Sequence, residues 1–365
     1  MNDDLNLLVY SYLSLEEVLT FFKDNQTKKN KVIKRYFEDL PSMYNASEDG
    51  ELETVKYLVS LGEKPNDHIL ISASRSGNLE LVMYLISLGI VPDKETLDRA
   101  TYRGNPEIVK YLVSLGIKPD KFTLDRASSI GHLELVAYLM SLYIIPDKKT
   151  LDLGSLSGNL RLVMYLISLD IKPDINTSYN ASESGNLQLV VYLISLGIIP
   201  DKHTLTIASR SGHLELAMYL ISLGIKPNKD TLDASGDSGN LELVMYLVGL
   251  GVKPDENTLD NGCKSGNLDL VKYLINLGLK PDKNTLDCAT CRGNLEIVKY
   301  LINLGLKPDK YTLNRISGSG DLELVMYLIS LGIVPDENTL DRANRNDGNP
   351  KLIKYLISLG IESDK

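Results

Sequence analysis

A glycine recurs every 27 residues along most of this chain and opens a repeated segment. The segment is clearest at residues 77–103, which read GNLELVMYLISLGIVPDKETLDRATYR. Its copies open at Gly50, Gly77, Gly104, Gly131, Gly158, Gly185, Gly212, Gly239, Gly266, Gly293, Gly320 and, after one inserted residue, Gly348. A fixed period of this kind predicts a repeat architecture, in which each unit buries its apolar surface against its neighbours.

Read from Pro92 instead of from the glycine, the repeat unit is predicted to begin with a short helix, which we call helix A. Asp93 is a good N-cap because its carboxylate accepts hydrogen bonds from free amides of the first turn. A helix of about nine residues then runs to Arg103, with Leu97 and Ala100 facing inward at i and i+3. Gly104 ends this helix.

A second helix, helix B, follows and reads LELVMYLISL in residues 79–88. The asparagine or histidine after each repeat glycine, as at Asn105, His132 and His213, is predicted to cap it. Gly89 supplies the left-handed residue at its end, whereas Tyr143 and Asp170 occupy that column in two other repeats and Tyr143 would be strained there. Most of helix B is apolar, so only a narrow stripe is expected in water: Glu80, Met83 and Ser87.

The segment GNLELVMYLISLG resembles the second half of an ankyrin repeat, and TLDRAS at residues 123–128 resembles the signature of its first helix. Only about six residues separate Gly89 from Thr96, too few for the hairpin finger of a standard unit of about 33 residues. The resemblance implies an all-α, ankyrin-like helical solenoid of twelve helix-turn-helix repeats over residues 39–365, with short loops in place of the fingers. Short repeats with a Tyr-Leu pair in each helix B are similar to ankyrin arrays of large DNA viruses of amoebae.

Residues 1–38 do not follow the repeat and are predicted to form a helical module. One interpretation is an N-terminal cap that shields the first repeat from water. The other is an F-box-like module, because DDLNLLVYSYLSLEEVLTFF resembles the first half of that motif, although its leading Leu-Pro and its tryptophan are absent. This resemblance implies a docking surface for a Skp-type linker subunit of a cullin ubiquitin ligase, formed by Leu5, Leu8, Val9, Leu13, Val18 and Leu19.

The composition narrows the classes of partner. The net charge of −9 and the pI of about 5.1 argue against a general affinity for nucleic acid or anionic membranes. No apolar run approaches the roughly 18 to 20 residues that a membrane-spanning helix requires. The start, MNDDLNLL, lacks the basic segment of a secretory signal, and three cysteines suit a reducing, intracellular compartment.

Three helix-A columns, those of Glu95, Arg99 and Tyr102, vary freely between repeats and lie on one side of the helix at i, i+4 and i+7. We call this side the helix-A face. The resemblance implies that it is concave and binds a protein partner; the alternative is that its positions are merely unconstrained. The candidate binding residues are Glu95, Arg99, Tyr102, Phe122, Arg126, Lys149, Leu153, Leu156, Asn180, Glu183, His203, Ile207, Arg210, Asp230, Asp237, Lys264, Tyr311, Arg315, Asn338, Arg342 and Arg345.

A neighbouring column carries a row of carboxylates: Asp98, Asp125, Asp152, Asp233, Asp260, Asp287 and Asp341. Each is expected to bond backbone amides of the adjacent loop, since short acidic side chains often do so. The alternative is a track for cations or a basic peptide. A second candidate surface is a methionine row on helix B formed by Met83, Met164, Met218, Met245 and Met326.

No pattern indicates catalysis, a cofactor or a metal, so we expect a protein that is not an enzyme. The helix-B tyrosines are interpreted as packing residues and not as a ladder for stacking bases. Cys288 and Cys291 form a Cys-x-x-Cys with Cys263 one repeat earlier, but a tetrahedral zinc site needs a second pair or histidines. Two functions remain: a substrate-recruiting adaptor of a ubiquitin ligase, or a structural or scaffold protein, for example of a virus, whose N-terminus is only a cap.

Overall fold

The computed structural model describes residues 41–345 and 349–361, together with Glu17. The predicted module at residues 1–38, with its six F-box-like surface residues, otherwise lies outside the described residues. The chain divides into two compact units between Pro173 and Asp174. Within the described ranges both units are helical and contain no strand.

The first unit contains five helix pairs over its described residues. They are α1 (Met43–Glu48) with α2 (Leu52–Ser60), α3 (Asp67–Ser76) with α4 (Leu79–Ser87), α5 (Lys94–Tyr102) with α6 (Pro106–Ser114), α7 (Lys121–Ser129) with α8 (Leu133–Ser141), and α9 (Lys148–Leu156) with α10 (Leu160–Ser168). Odd-numbered helices are the predicted helices A and even-numbered ones the predicted helices B.

The second unit continues the same alternation over its described residues. Its pairs are α11 (Ile175–Ser184) with α12 (Leu187–Ser195), α13 (Lys202–Arg210) with α14 (Leu214–Ser222), α15 (Lys229–Ser238) with α16 (Leu241–Gly249), α17 (Glu256–Ser265) with α18 (Leu268–Asn276), α19 (Lys283–Cys291) with α20 (Leu295–Asn303), α21 (Lys310–Ser317) with α22 (Leu322–Ser330), and α23 (Glu337–Ala343) with α24 (Pro350–Ser358). In each unit, successive helices A pack side by side and each helix B packs on the helix A of its own repeat. The fold is an ankyrin-like solenoid of helix-turn-helix repeats with short loops.

The first turn of helix A is held by a reciprocal capping box. Before α5, the Asp93 carboxylate accepts a hydrogen bond from the Thr96 amide at 2.9 Å, and the Thr96 hydroxyl accepts one from the Asp93 amide at 3.3 Å. The same box precedes every described helix A from α5 to α23. The predicted cap is confirmed, and the box accounts for the threonine that recurs in every one of these helices.

The core lies between the two helices of each repeat and those of its neighbours. Leu97 and Ala100 on α5, and Leu81, Val82 and Leu85 on α4, are completely buried. Each fully buried leucine or valine stabilises the stack by about 1.5–3 kcal/mol relative to the exposed side chain. The core positions read from the repeat are therefore correct.

The prediction that only Glu80, Met83 and Ser87 of this helix B are exposed was too narrow. Those residues are exposed, but Leu88 is 44 % exposed as well. Helix α4 ends at Ser87, so Leu88 is its C-cap and lies past the last turn that a neighbouring helix covers. The same column is exposed at Leu61, Leu115, Leu169, Leu196, Leu223, Leu250, Leu277, Leu304, Leu331 and Leu359.

The turn after helix B keeps its left-handed residue even where glycine is missing. Gly89 has φ 94°, and Tyr143 and Asp170 keep φ values of 66° and 67° in the same column. Tyr143 does not force a different turn; its side chain extends into solvent, where it meets no neighbour that would add to the backbone strain.

The asparagine after the repeat glycine joins two repeats as well as capping helix B. Asn78 accepts a hydrogen bond from the Leu81 amide at 3.0 Å and donates one to the Gly50 carbonyl, in the preceding repeat, at 2.8 Å. The same pair of bonds recurs within the units at Asn159, Asn240 and Asn267. One side chain thus satisfies an orphan amide of its own helix and a carbonyl of the neighbour.

Three of the predicted caps, those of Asn105, His213 and Asn294, are wrong. Asn105 makes no side-chain cap and instead donates to the Ser74 carbonyl at 3.1 Å. His213 makes none either, and its Nε2 lies 3.0 Å from the Glu183 carbonyl oxygen. His132 does cap α8 through Nδ1, as predicted. Where the cap is missing, the side chain is used entirely for the contact with the preceding repeat.

The last repeat differs from the others. Helix α23 ends at Ala343, before the inserted residue, and residues 346–348, where the bulge was predicted, lie outside the described residues. In α24, Leu352 and Leu356 are buried whereas Ile357 is 56 % exposed. No described helix has the length and hydropathy needed to cross a bilayer.

Candidate functional site

The helix-A face is exposed in both units. On α9, for example, its first and third positions, Lys149 and Leu156, lie in solvent, and its middle position, Leu153, is half-buried. This arrangement follows from the helical spacing, since the middle residue lies closest to the neighbouring helices A. The exposed candidates are Glu95, Arg99, Tyr102, Phe122, Lys149, Leu156, Glu183, His203, Arg210, Asp230, Asp237, Tyr311, Asn338 and Arg345.

The other candidates of this face are half-buried: Arg126, Leu153, Asn180, Ile207, Lys264, Arg315 and Arg342. Leu153 and Ile207, which are among the predicted binding residues, therefore pack partly against the stack. The aromatic and aliphatic residues that do face solvent are Tyr102, Phe122, Leu156 and Tyr311, with exposed fractions of 37 to 56 %.

In the first unit the helix-A face contains a cluster of arginine and aromatic side chains. The Arg126 guanidinium carbon lies 4.6 Å from the centroid of the Tyr102 ring and 5.3 Å from that of Phe122. A cleft of about 420 Å³ opens beside it, lined by Glu95, Asp98, Arg99, Tyr102 and Arg126. The cluster brings together three predicted binding residues from two successive repeats.

In the second unit the corresponding surface is polar. A cleft of about 440 Å³ is lined by Thr206, Arg210, Asp230, Asp233, Ala234, Asp237, Asn261 and Lys264. Burial raises the pKa of the Asp233 carboxyl even though it accepts a hydrogen bond from the Thr258 hydroxyl. The two units therefore present different chemistry on equivalent columns: aromatic and basic in the first, mixed and mostly acidic in this cleft of the second.

The prediction that the aspartate column bonds backbone amides is wrong for Asp125, Asp233 and Asp260, which bond side chains of the next repeat. Asp125 is buried and accepts a hydrogen bond at 2.8 Å from the side-chain hydroxyl of Thr150, in the next repeat, and another from Lys121. Thr258 and Thr285 donate in the same way to Asp233 and Asp260, at 2.5 and 2.8 Å. The row joins the capping box of one repeat to the helix A before it.

Asn314 and Asp287 are two other members of this column, and they differ in their partners. Asn314 replaces the aspartate in one repeat and still accepts from the Thr339 hydroxyl at 2.5 Å. Asp287 lies 4.0 Å from Arg315, and burial is the main cause that raises the pKa of its carboxyl. An amide serves as well as a carboxylate at Asn314, which points to an architectural role for the column and not to a cation track.

The three cysteines are unpaired thiols. Cys263 is buried, and burial raises its pKa and that of Cys288. Thiols with raised pKa are poor nucleophiles and poor metal ligands at neutral pH, because both roles need the thiolate. Among the described residues, no three His, Cys, Asp or Glu side chains are grouped so that they would hold a metal ion.

The methionine row on helix B is the second surface that the sequence singled out. Met83, Met164, Met218, Met245 and Met326 are 42 to 48 % exposed. In other repeats a lysine occupies this column and lies over the helix-B tyrosine of the next repeat, as Lys56 does over Tyr84 at 5.8 Å and Lys299 over Tyr327 at 5.8 Å. The tyrosines are half-buried and take part in these contacts between repeats.

Comparison with known proteins agrees with this architecture. A family model described as ankyrin repeats (three copies) matches residues 42–123 and 231–312, one segment in each unit. No curated protein has a matching sequence.

Solved structures show weaker likenesses. The human ASB11 ankyrin repeat domain is 19 % identical, with a TM-score of 0.38 over 52 % of this chain and 98 % of that one. The maize pentatricopeptide repeat protein PPR10 is 15 % identical, with a TM-score of 0.36 over 100 % of this chain and 64 % of that one. These scores are too low to define the fold, which rests on the helix pairs and the family model. Ankyrin repeats indicate a protein–protein interaction module, typically a non-catalytic scaffold, and the chain is an ankyrin-like repeat protein.

Proposed function

We propose that this protein binds a partner protein on its helix-A face. The observation that carries the proposal is the exposure of large aromatic side chains at positions that vary between repeats: Tyr102, Phe122 and Tyr311 are 47, 51 and 56 % exposed. Exposed aromatic residues beside arginines are the usual anchors of protein interfaces. The columns that pack the stack keep leucine and alanine almost throughout, whereas the positions that vary on helix A are mostly exposed or half-buried.

The experiment is affinity capture and cross-linking mass spectrometry with full-length protein and a lysate of its native source. We expect Tyr102→Ser combined with Phe122→Ser to lower the recovery of cross-linked partner at least about tenfold, since anchor residues each contribute about 2 kcal/mol or more. The matched control is Met83→Ser combined with Met164→Ser, which removes two half-exposed apolar side chains from helix B of the same unit.

The control variant should capture the partner as the unaltered protein does, and both variants should keep the same helicity and melting temperature. The opposite pattern, loss with the methionine pair and retention with the aromatic pair, would move the binding surface to the methionine row and refute the proposal.

We further propose that residues 1–38 dock on a Skp-type linker, so that the protein recruits substrates to a cullin-type ubiquitin ligase. Support comes from the F-box-like sequence of that segment alone. In a pull-down with purified linker protein, Leu8→Asp combined with Leu13→Asp should abolish binding. Leu61→Asp, at an exposed position of the first repeat, is the control that should leave it intact.

If the unaltered protein does not bind the linker, the adaptor role is refuted and residues 1–38 are better explained as a cap of a scaffold protein. An intracellular location is part of the same proposal, because three free thiols suit a reducing compartment. Alkylation of cells followed by mass spectrometry tests it: recovery of these cysteines as disulfides in the native protein would contradict it.

A further inference from the structure

Arg126 is held in a fixed position by two aromatic rings from different repeats. Tyr102 ends α5 and Phe122 begins α7, and the guanidinium carbon lies within 4.6 and 5.3 Å of their ring centroids. A guanidinium at these distances is attracted to the ring faces, and contact with two rings limits the rotamers of the side chain. Little entropy therefore remains to be lost when the guanidinium binds a further group.

The carboxylates around the cleft already have cations of their own. Glu95 pairs with Arg99 at 3.1 Å, and Asp98 pairs with Lys94 at 2.5 Å. Arg126 forms no ion pair with any described residue, and its Nε atom is buried without a hydrogen-bond partner. The cleft thus contains one positive charge that is positioned but not neutralised.

We propose that Arg126 anchors an anionic side chain of the partner, a carboxylate or a phosphate, in this cleft. The inference rests on the proposed function and specifies the kind of partner segment: an acidic residue flanked by apolar residues that cover Tyr102 and Phe122. The planar guanidinium donates two parallel hydrogen bonds to an oxyanion, which a lysine ammonium does not. Exclusion of water by the flanking contacts strengthens the ion pair.

The chain contains a matched comparison in Arg315. Arg315 occupies the same column of helix A as Arg126, and Tyr311 the same column as Phe122. The column of Tyr102 holds Cys291 in the preceding repeat, so the second ring is missing, and Asp287 lies 4.0 Å from the Arg315 guanidinium. Arg315 therefore lacks the second ring and has Asp287 as a partner, whereas Asp98, the equivalent of Asp287 beside Arg126, pairs with Lys94. Arg315 is not expected to select an anion.

The test uses the full-length protein on beads and four pools of fluorescent nine-residue peptides, in which the central residue is Glu, Gln, phosphoserine or Lys and all other positions are degenerate. We expect the unaltered protein to retain the Glu or phosphoserine pool about 10- to 100-fold better than the Gln pool, the range for hydrogen bonds to a charged group. Arg126→Gln should remove this preference, Arg126→Lys should lose most of it, and Arg315→Gln should keep it.

Preference for phosphoserine over Glu would assign the anion as a phosphate, and the reverse as a carboxylate. The inference is overturned if the unaltered protein does not distinguish Glu from Gln, or if the preference survives in Arg126→Gln. Peptides retained without acidic preference, but lost in the Tyr102→Ser and Phe122→Ser variant, would overturn this inference and leave the proposed function in place. Thermal melting of each variant shows that the repeats remain folded.

Discussion

Replacing Thr150 with valine, and comparing the result with the same change in another repeat, would measure how much the hydrogen bond between repeats contributes to the free energy of unfolding beyond the capping box. The Thr150 hydroxyl accepts hydrogen bonds from the Asp147 amide at 3.2 Å and from Lys121 at 2.7 Å, and it donates to Asp125 at 2.8 Å. Valine has nearly the same shape but no hydroxyl, so the substitution removes these bonds while leaving the volume of a fully buried site unchanged.

The magnitude follows from the two kinds of bond. Loss of the reciprocal bond of the capping box, from the Asp147 amide to the Thr150 hydroxyl, costs about 1 kcal/mol, as for other neutral hydrogen bonds. Loss of a hydrogen bond to a buried charged group costs about 1.5–3 kcal/mol, and the lower end applies because Lys121 and Lys149 remain beside Asp125. We therefore expect Thr150→Val to lower the free energy of unfolding of its repeat by about 2–3 kcal/mol.

Thr204 provides the matched control. It is equally buried and forms the same capping box, with Asp201, but the column of Asp125 holds Tyr179 in the repeat before it, and that tyrosine bonds Asp201 instead. Thr204→Val should therefore cost only about 1 kcal/mol, the value of the reciprocal bond from the Asp201 amide.

The assay is hydrogen exchange of each repeat followed by mass spectrometry, because repeat arrays do not always unfold in one step and a single melting temperature would average over both units. Amides of the repeat that contains Thr150 should lose more protection from exchange in Thr150→Val than amides of the repeat that contains Thr204 lose in Thr204→Val. An equal loss of protection in the two variants would refute the reasoning, because it would show that the bond from Thr150 to the aspartate column does not stabilise the contact between repeats.

Two other predictions concern single repeats. The hydrogen-bonded ion pair with Lys283 is the main cause that lowers the pKa of Asp309 from 3.8 to about 2, so the pair's contribution to stability is complete above pH 3.8 and is lost as the pH falls through about 2. Hydrogen exchange of the first-turn amides of α21 should therefore rise as the pH falls over this window. A flat profile, or the same profile in Asp309→Asn, would contradict the assignment. Gly185→Ala and Gly197→Ala both place alanine in a left-handed conformation, with φ 75° and 90°, at a cost of about 1–2 kcal/mol. Of these two sites, only Gly185 brings the added Cβ against a side chain, the His213 ring. Denaturant midpoints should therefore fall further for Gly185→Ala than for Gly197→Ala, and the difference should disappear when His213 is also replaced by alanine. Equal falls in the two single variants would show that the ring moves away freely.

Interactions that span only a few residues were predictable from the sequence. The N-cap at Asp93, the left-handed turn at Gly89 and the inward positions of Leu97 and Ala100 all depend on groups within about one helical turn of each other. Comparison of the copies within the chain also identified the helix-A face, because a column that varies freely has no fixed packing partner.

The errors have a common cause. Asp125 bonds a threonine 25 residues away, and Asn105 bonds a carbonyl 31 residues away, so both partners belong to the neighbouring repeat. Leu88 was expected in the core because helix B looked covered along its whole length, whereas the neighbouring helices do not extend over its C-cap.

The period, the caps and the apolar columns of the sequence determine that helical pairs form and which sides they bury, because these are local or strictly repeated properties. Only the tertiary structure decides which side chain of one repeat lies opposite which side chain of the next. That choice depends on the offset between stacked helices, and it places Arg126 between the rings of Tyr102 and Phe122 while it leaves Arg315 beside Asp287. An offset between elements 27 residues apart is set by packing along their whole length, which no single column of the sequence encodes.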